Sequence, residues 1–147
     1  MSGHKKIDMK KLGFAFILPI VAIVFLGLAA CSGGNKQQQL EKVAQRIDAT
    51  CPQMLDAVSR LDKVEALPGL VIKSSATLMG IDKASFDAYV SEDSGFLGMM
   101  KQQMVEFTRA DRGSAEVRRL DATLVYSFND EAGENLFEIT ITPEEYK

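Results

Sequence analysis

The chain has 147 residues, 46% of them hydrophobic, enough for one domain with a core and too few for two. Seventeen basic and 20 acidic side chains give a net charge of −3. That balance argues against a nucleic-acid partner, because acidic surfaces repel phosphate backbones.

The first thirty residues differ sharply from the rest. Lys5, Lys6, Lys10 and Lys11 give a basic start, and Leu12 to Ala30 then runs without a charge. A basic region, an apolar run and small residues before a cleavage point are the features of an export signal. The run is long enough to be weighed against a spanning helix, since about 20 apolar residues cross a bilayer. Leu28, Ala29, Ala30 and Cys31 decide between the two. They resemble the lipobox of bacterial lipoproteins, in which a leucine, two small residues and a cysteine close the apolar run. The resemblance implies a thioether lipid on Cys31, cleavage between Ala30 and Cys31 by the lipoprotein signal peptidase, and acylation of the new amino terminus. It also implies a location on the cell envelope, anchored to a membrane by acyl chains. Each buried CH₂ contributes about 0.8 kcal/mol, and two or more chains hold stably. Ser32, rather than an aspartate, follows the lipidated position. In a Gram-negative envelope that pattern goes with the outer membrane.

The expected organisation is a removed signal peptide over 1–30, a lipidated cysteine and flexible tether over 31–39, and a single domain over 40–147. Loss of residues 1–30 removes four lysines and Asp8, which leaves 13 basic against 19 acidic residues and a net charge of −6. It also removes His4, the one histidine. The mature domain then lacks the commonest general base and the commonest metal ligand. Ser–His and Cys–His nucleophile pairs and histidine-based zinc sites are excluded with it. The expectation is a protein with no catalytic residues, cofactor or metal, although carboxylate-only catalysis stays open.

From about 38 to 65, Leu40, Val43, Ala44, Ile47, Cys51, Met54, Leu55, Val58 and Leu61 recur at helical spacing. This predicts one long amphipathic helix kinked at Pro52, ended by Leu67-Pro68-Gly69; Thr50 and Gln53 would cap a restart. Cys51 lies inside the stripe. It is either an activated thiol near a helix start or a small buried side chain, and the stripe favours burial. Residues 70–78 alternate as a half-buried strand. Asp82 then caps a short helix with Phe86, Tyr89 and Val90 on one face. A further helical segment carries Phe96, Met100 and Met104 on one side. These three are the candidate surface for a ligand or partner, with core packing as the alternative. Last, Leu124, Tyr126 and Phe128, then Phe137, Ile139 and Ile141, alternate about a polar loop as a β-hairpin.

The predicted fold is α+β: a long N-terminal helix, a strand, a second helical segment and a C-terminal hairpin, with the helices on one face of a three-stranded sheet. This layout is similar to small lipoproteins of unassigned function. Three charge clusters are candidates for chemistry. Asp82, Asp87, Glu92 and Asp93 lack an Asp-x-Asp-x-Asp-Gly loop, so capping and solvation explain them better than a cation does. Asp130, Glu131 and Glu134 fit ordinary turn chemistry. Arg109, Arg112, Arg118 and Arg119 could meet anionic headgroups, but Asp111, Glu116 and Asp121 interleave with them, so a salt-bridged loop is expected. The functional expectation is a non-catalytic, lipid-anchored envelope domain that contacts another envelope protein. The alternative is a carrier of a small apolar ligand between helices and sheet.

Overall fold

A computed structural model describes residues 35–147. The expected cleavage motif and Cys31 lie outside these residues. The elements run α1 (Lys36–Asp48), β1 (Gln53–Met54), β2 (Ser59–Leu67), β3 (Val71–Leu78), α2 (Lys83–Glu92), α3 (Phe96–Ala110), a 3₁₀ turn (Arg112–Ser114), α4 (Ala115–Leu120), β4 (Thr123–Asn129), β5 (Asn135–Ile141) and α5 (Pro143–Tyr146). The strands form one five-stranded sheet in the order β1-β2-β3-β4-β5. β3 and β4 pair in parallel, and every other neighbouring pair is antiparallel. A parallel pair needs a crossover, and the segment from α2 to α4 supplies it.

Two features of the expected architecture are overturned. The sheet has five strands instead of three, and the long first helix ends at Asp48 instead of running to about residue 65. β2 is also irregular. Leu61 pairs with Ala76 while Lys63 pairs with Ser75, so Asp62 is an extra residue, a β-bulge. Both Asp62 and Lys63 then avoid the core, and the next inward residue after Leu61 is Val64. The stripe itself ends at Leu61, and its members Met54, Leu55 and Val58 keep helical spacing although they lie in β1 and the segment leading into β2. Pro52 also weighs against a continuous helix, since the residue before a proline disfavours the α conformation. The chain leaves α1 through a turn in which the Thr50 hydroxyl donates to the Ile47 carbonyl at 2.7 Å, and the Cys51–Pro52 peptide bond is cis.

The first helix begins at Lys36. Asn35 caps α1, its side-chain oxygen accepting from the Gln38 N–H at 2.9 Å. Residues 36–39 are therefore helical.

The core lies between one sheet face and the helices. Across the inner face, Ala66, Ile72, Leu124 and Ile141 form one rung; Val64, Ser74, Tyr126 and Ile139 the next; Leu61, Ala76, Phe128 and Phe137 a third. Leu40, Val43, Ala44 and Ile47 of α1 and Val117 and Leu120 of α4 close over it. An aromatic cluster closes the β5 side: Phe137 stacks on Phe128 at 4.5 Å and on Phe86 at 5.0 Å, and Phe96 meets Phe86 and Tyr89 edge to face. No helix among the described residues is long and apolar enough to cross a membrane.

Candidate functional site

Among the described residues the helices lie on one face of the sheet, and none of them covers the second face. Its rungs are polar: Glu65, Lys73, Val125 and Thr140; then Lys63, Ser75, Ser127 and Glu138; then Arg60, Thr77 and Asn129. Alternation along each strand forces this, because the partners of core-facing residues must point the other way. The groups are ordered by one another. Asp62 accepts from the Thr77 hydroxyl at 2.6 Å and pairs with Arg60 at 2.5 Å. Lys73 reaches across β4 to Glu138 at 3.0 Å. Lys63 pairs with Glu65. The Asn135 amide donates to the Ser127 hydroxyl at 2.9 Å and to the Asn129 side chain at 3.1 Å. A surface with its side chains already placed loses little conformational entropy on docking.

A second cluster sits where the chain enters the domain. Lys36 pairs with Asp121 at 2.5 Å, and Lys147 reaches the same carboxylate at 2.8 Å. Gln37 accepts from the Leu70 N–H at 3.0 Å and donates to the Leu67 carbonyl at 3.1 Å, clasping the β2–β3 turn. Gln39 accepts from Arg119 at 2.9 Å. Asp121 ends α4 in the left-handed conformation, with φ 58°. Hydrogen bonds from Lys147 and then Lys36 hold its carboxyl down to about 2. Both ends of the described chain thus converge on one carboxylate.

The sequence-predicted residues fall elsewhere. Phe96, Met100 and Met104 are brought together, but inside the core, with 5%, 3% and 1% of their surface exposed. Met99 and Met54 are the large apolar side chains left outside. Cys51 is half-buried, and its thiol donates to the Ile47 carbonyl at 3.7 Å. Burial, then the charges of Asp48 and Asp62, push this thiol up, the opposite of activation.

The acidic clusters serve the backbone. Asp82 accepts from the Ser85 N–H at 2.7 Å, Asp93 from the Gly95 N–H at 3.2 Å, and Asp87 pairs with Lys83. Glu92 is exposed beside them. Asp130 is 4% exposed and accepts from the N–H groups of Ala132, Glu134 and Lys83, while Glu131 accepts from Gly80. Glu134 is exposed in the same loop. Among the described residues no group of three potential metal ligands comes together.

The arginines are dispersed in the same way. One nitrogen of Arg118 donates to the carbonyls of Thr108 at 2.5 Å and Asp111 at 2.8 Å, capping the end of α3. Arg109 pairs with Glu106 and donates to the Glu145 carbonyl. Arg112 is exposed.

Sequence reasoning missed the fastening of the entry point, where Gln37–Gln39 read as flexible polar chain. Asn35 followed three residues later by Gln38 was the available signal, a helix-start pattern. The partners Leu67, Leu70 and Asp121 lie 30 to 85 residues away, and no local pattern reveals them.

In sequence, the chain matches no family model and no curated protein. In structure, it is similar to a Pseudomonas aeruginosa protein inferred to be secreted, at a TM-score of 0.59 and 12% identity, over 79% of this chain and all of the other. It is also similar to the pilotin EpsS of the Vibrio vulnificus type 2 secretion system, at a TM-score of 0.51 and 12% identity, over 76% of this chain and 96% of that one. The likeness is one of fold.

Proposed function

We propose that this protein is a lipid-anchored domain of the bacterial cell envelope, held by acyl chains on Cys31, which contacts another envelope protein without catalysing a reaction. The anchor rests on Leu28, Ala29, Ala30 and Cys31 behind a basic, then apolar, leader. The outer membrane is the favoured location, following from Ser32. The observation that carries the contacting role is the one-sided sheet, whose free face presents ordered polar and charged side chains over four strands. Support comes from the fold, since one protein built on it is the pilotin of a secretion system. Asp82, Asp130, Glu116 and several other acidic side chains are engaged in caps, loop N–H groups and ion pairs, which suits a structural and binding role.

In-cell crosslinking tests the contact. A photoreactive residue at Thr140, exposed on the free face, is expected to give one dominant adduct with an envelope protein. The same residue at Ala84, exposed on α2, is expected to give none. Equal adducts from both positions, or none from either, would overturn the proposal.

A further inference from the structure

The structure assigns the domain a fixed stance on the membrane: the end holding Lys36, the Leu67–Leu70 turn, Asp121 and Lys147 lies against the lipid headgroups, and the strands run outward from it. This rests on the proposed lipidation of Cys31 and concerns what the anchored domain does next. The first argument is reach. Four peptide steps separate Cys31 from the cap residue Asn35, and fully extended they span roughly 13–14 Å. A lipid on Cys31 therefore keeps the start of α1 within about that distance of the bilayer surface.

The second argument is that the start of α1 cannot pivot freely. Lys36, Gln37 and Gln39 bind three separate places: Asp121, the backbone of the β2–β3 turn, and Arg119. Because these partners come from different parts of the chain, the orientation of the start of α1 is coupled to the whole domain. The topology then sets which parts are near and which far. β4 starts beside Leu70, where the Thr123 N–H donates to the Leu70 carbonyl at 2.8 Å, and β5 returns to the same end before α5. The loop 130–134 and the turn at Gly80 lie at the other end of the strands. Seven strand residues separate the two ends by roughly 23 Å.

Charge agrees with the stance. Lys36, Arg109, Arg119 and Lys147 sit at the entry end, where they offset its carboxylates. Asp130, Glu131 and Glu134 crowd the far loop with no cation inside it. Anionic headgroups repel the far end more than the near one, and the effect is strongest within a Debye length, about 8 Å at physiological salt. The free sheet face then stands upright at the side of the molecule, open to a partner that rises from the same membrane.

The test uses the full chain, matured in cells and reconstituted in phosphatidylglycerol–phosphatidylethanolamine vesicles. Cys51→Ala removes the remaining thiol, and single cysteines placed by Glu144→Cys near the entry and Ala132→Cys at the far loop carry a fluorophore. Flotation is scored first: a protein that fails to float overturns the anchored reading itself. For a protein that floats, a headgroup-linked quencher is expected to quench position 144 at least threefold more than position 132. Twelve Gly/Ser residues inserted between Ser32 and Gly33 are expected to bring the two within a factor of 1.5 while flotation persists. Equal quenching without the insertion, or stronger quenching at 132, overturns the stance and leaves the anchor standing.

Discussion

Arg118 separates two accounts of the basic cluster, and its removal can be worked through. Its guanidinium donates from one nitrogen to the carbonyls of Thr108 and Asp111 at the end of α3, of which Asp111 also accepts from the Ser114 N–H at 3.2 Å. Hydrogen bonds to a charged group contribute about 1.5–3 kcal/mol each, and here two share a single donor nitrogen in a part-buried setting, so Arg118→Ala is expected to cost about 2 kcal/mol. For a domain of this size that lowers Tm by about 8 °C, at roughly 4 °C per kcal/mol. Arg118→Lys keeps the charge without the planar fork and is expected to recover about half. Urea unfolding of the domain from Asn35 onward, followed by circular dichroism, gives both numbers. Co-sedimentation with anionic vesicles supplies the contrast and is expected to change little. The reasoning fails if Arg118→Ala shifts stability by less than about 0.5 kcal/mol while vesicle binding collapses, for then the side chain serves a lipid surface and not a helix end.

Other substitutions test the core and the entry point. Met104→Ala is expected to cost about 2–5 kcal/mol and Met99→Ala less than about 0.5, and equal losses in urea midpoint would contradict the core assignment of α3. Among the described residues the buried Tyr126 hydroxyl has no hydrogen-bond partner, and burial pushes its pKa up. Tyr126→Phe is therefore expected to leave stability unchanged or raise it by about 1 kcal/mol, and a loss above that in the urea midpoint would show that the hydroxyl is satisfied. The Asp121 carboxyl titrates at about 2 when folded, against about 3.9 unfolded, so its contribution is present above about pH 4 and is lost as pH falls towards 2. Asp121→Asn keeps the left-handed preference and is expected to flatten the fall in stability between pH 5 and pH 2; an unaltered slope would refute the role of the two lysines. Cys51 is expected to react with iodoacetamide at pH 8 more slowly than a free cysteine does, whereas an equal rate would mark it as accessible and active.

How far the sequence exposed this fold depended on whether each signal was local. The strands over 71–78, 123–129 and 135–141 were legible because a core-facing residue recurs at every second position along each. β2 was hidden because Met54, Leu55, Val58 and Leu61 happen to continue the spacing of α1 through β1 and into the strand, and its bulge breaks the alternation after Leu61. β1 is two residues long and carries no periodicity at all. The candidate ligand residues Phe96, Met100 and Met104 are buried in the core, and hydrophobic periodicity alone cannot tell a core face from a groove. The free sheet face escaped notice for a related reason: polar alternation marks a strand's second face without saying whether another layer covers it. The fastening at Asp121 depends on contacts spanning the chain, and only the folded structure brings Lys36 and Lys147 to the same carboxylate.

The central claim is that a lipid on Cys31 holds this domain to a membrane, and intact mass spectrometry of the protein purified from its native membranes tests it most directly. The account predicts a chain that begins at Cys31, lacks residues 1–30, and is heavier than its peptide mass by a diacylglyceryl group with or without a further acyl chain. A chain that retains His4, or one beginning at Cys31 with no added lipid mass, would contradict it.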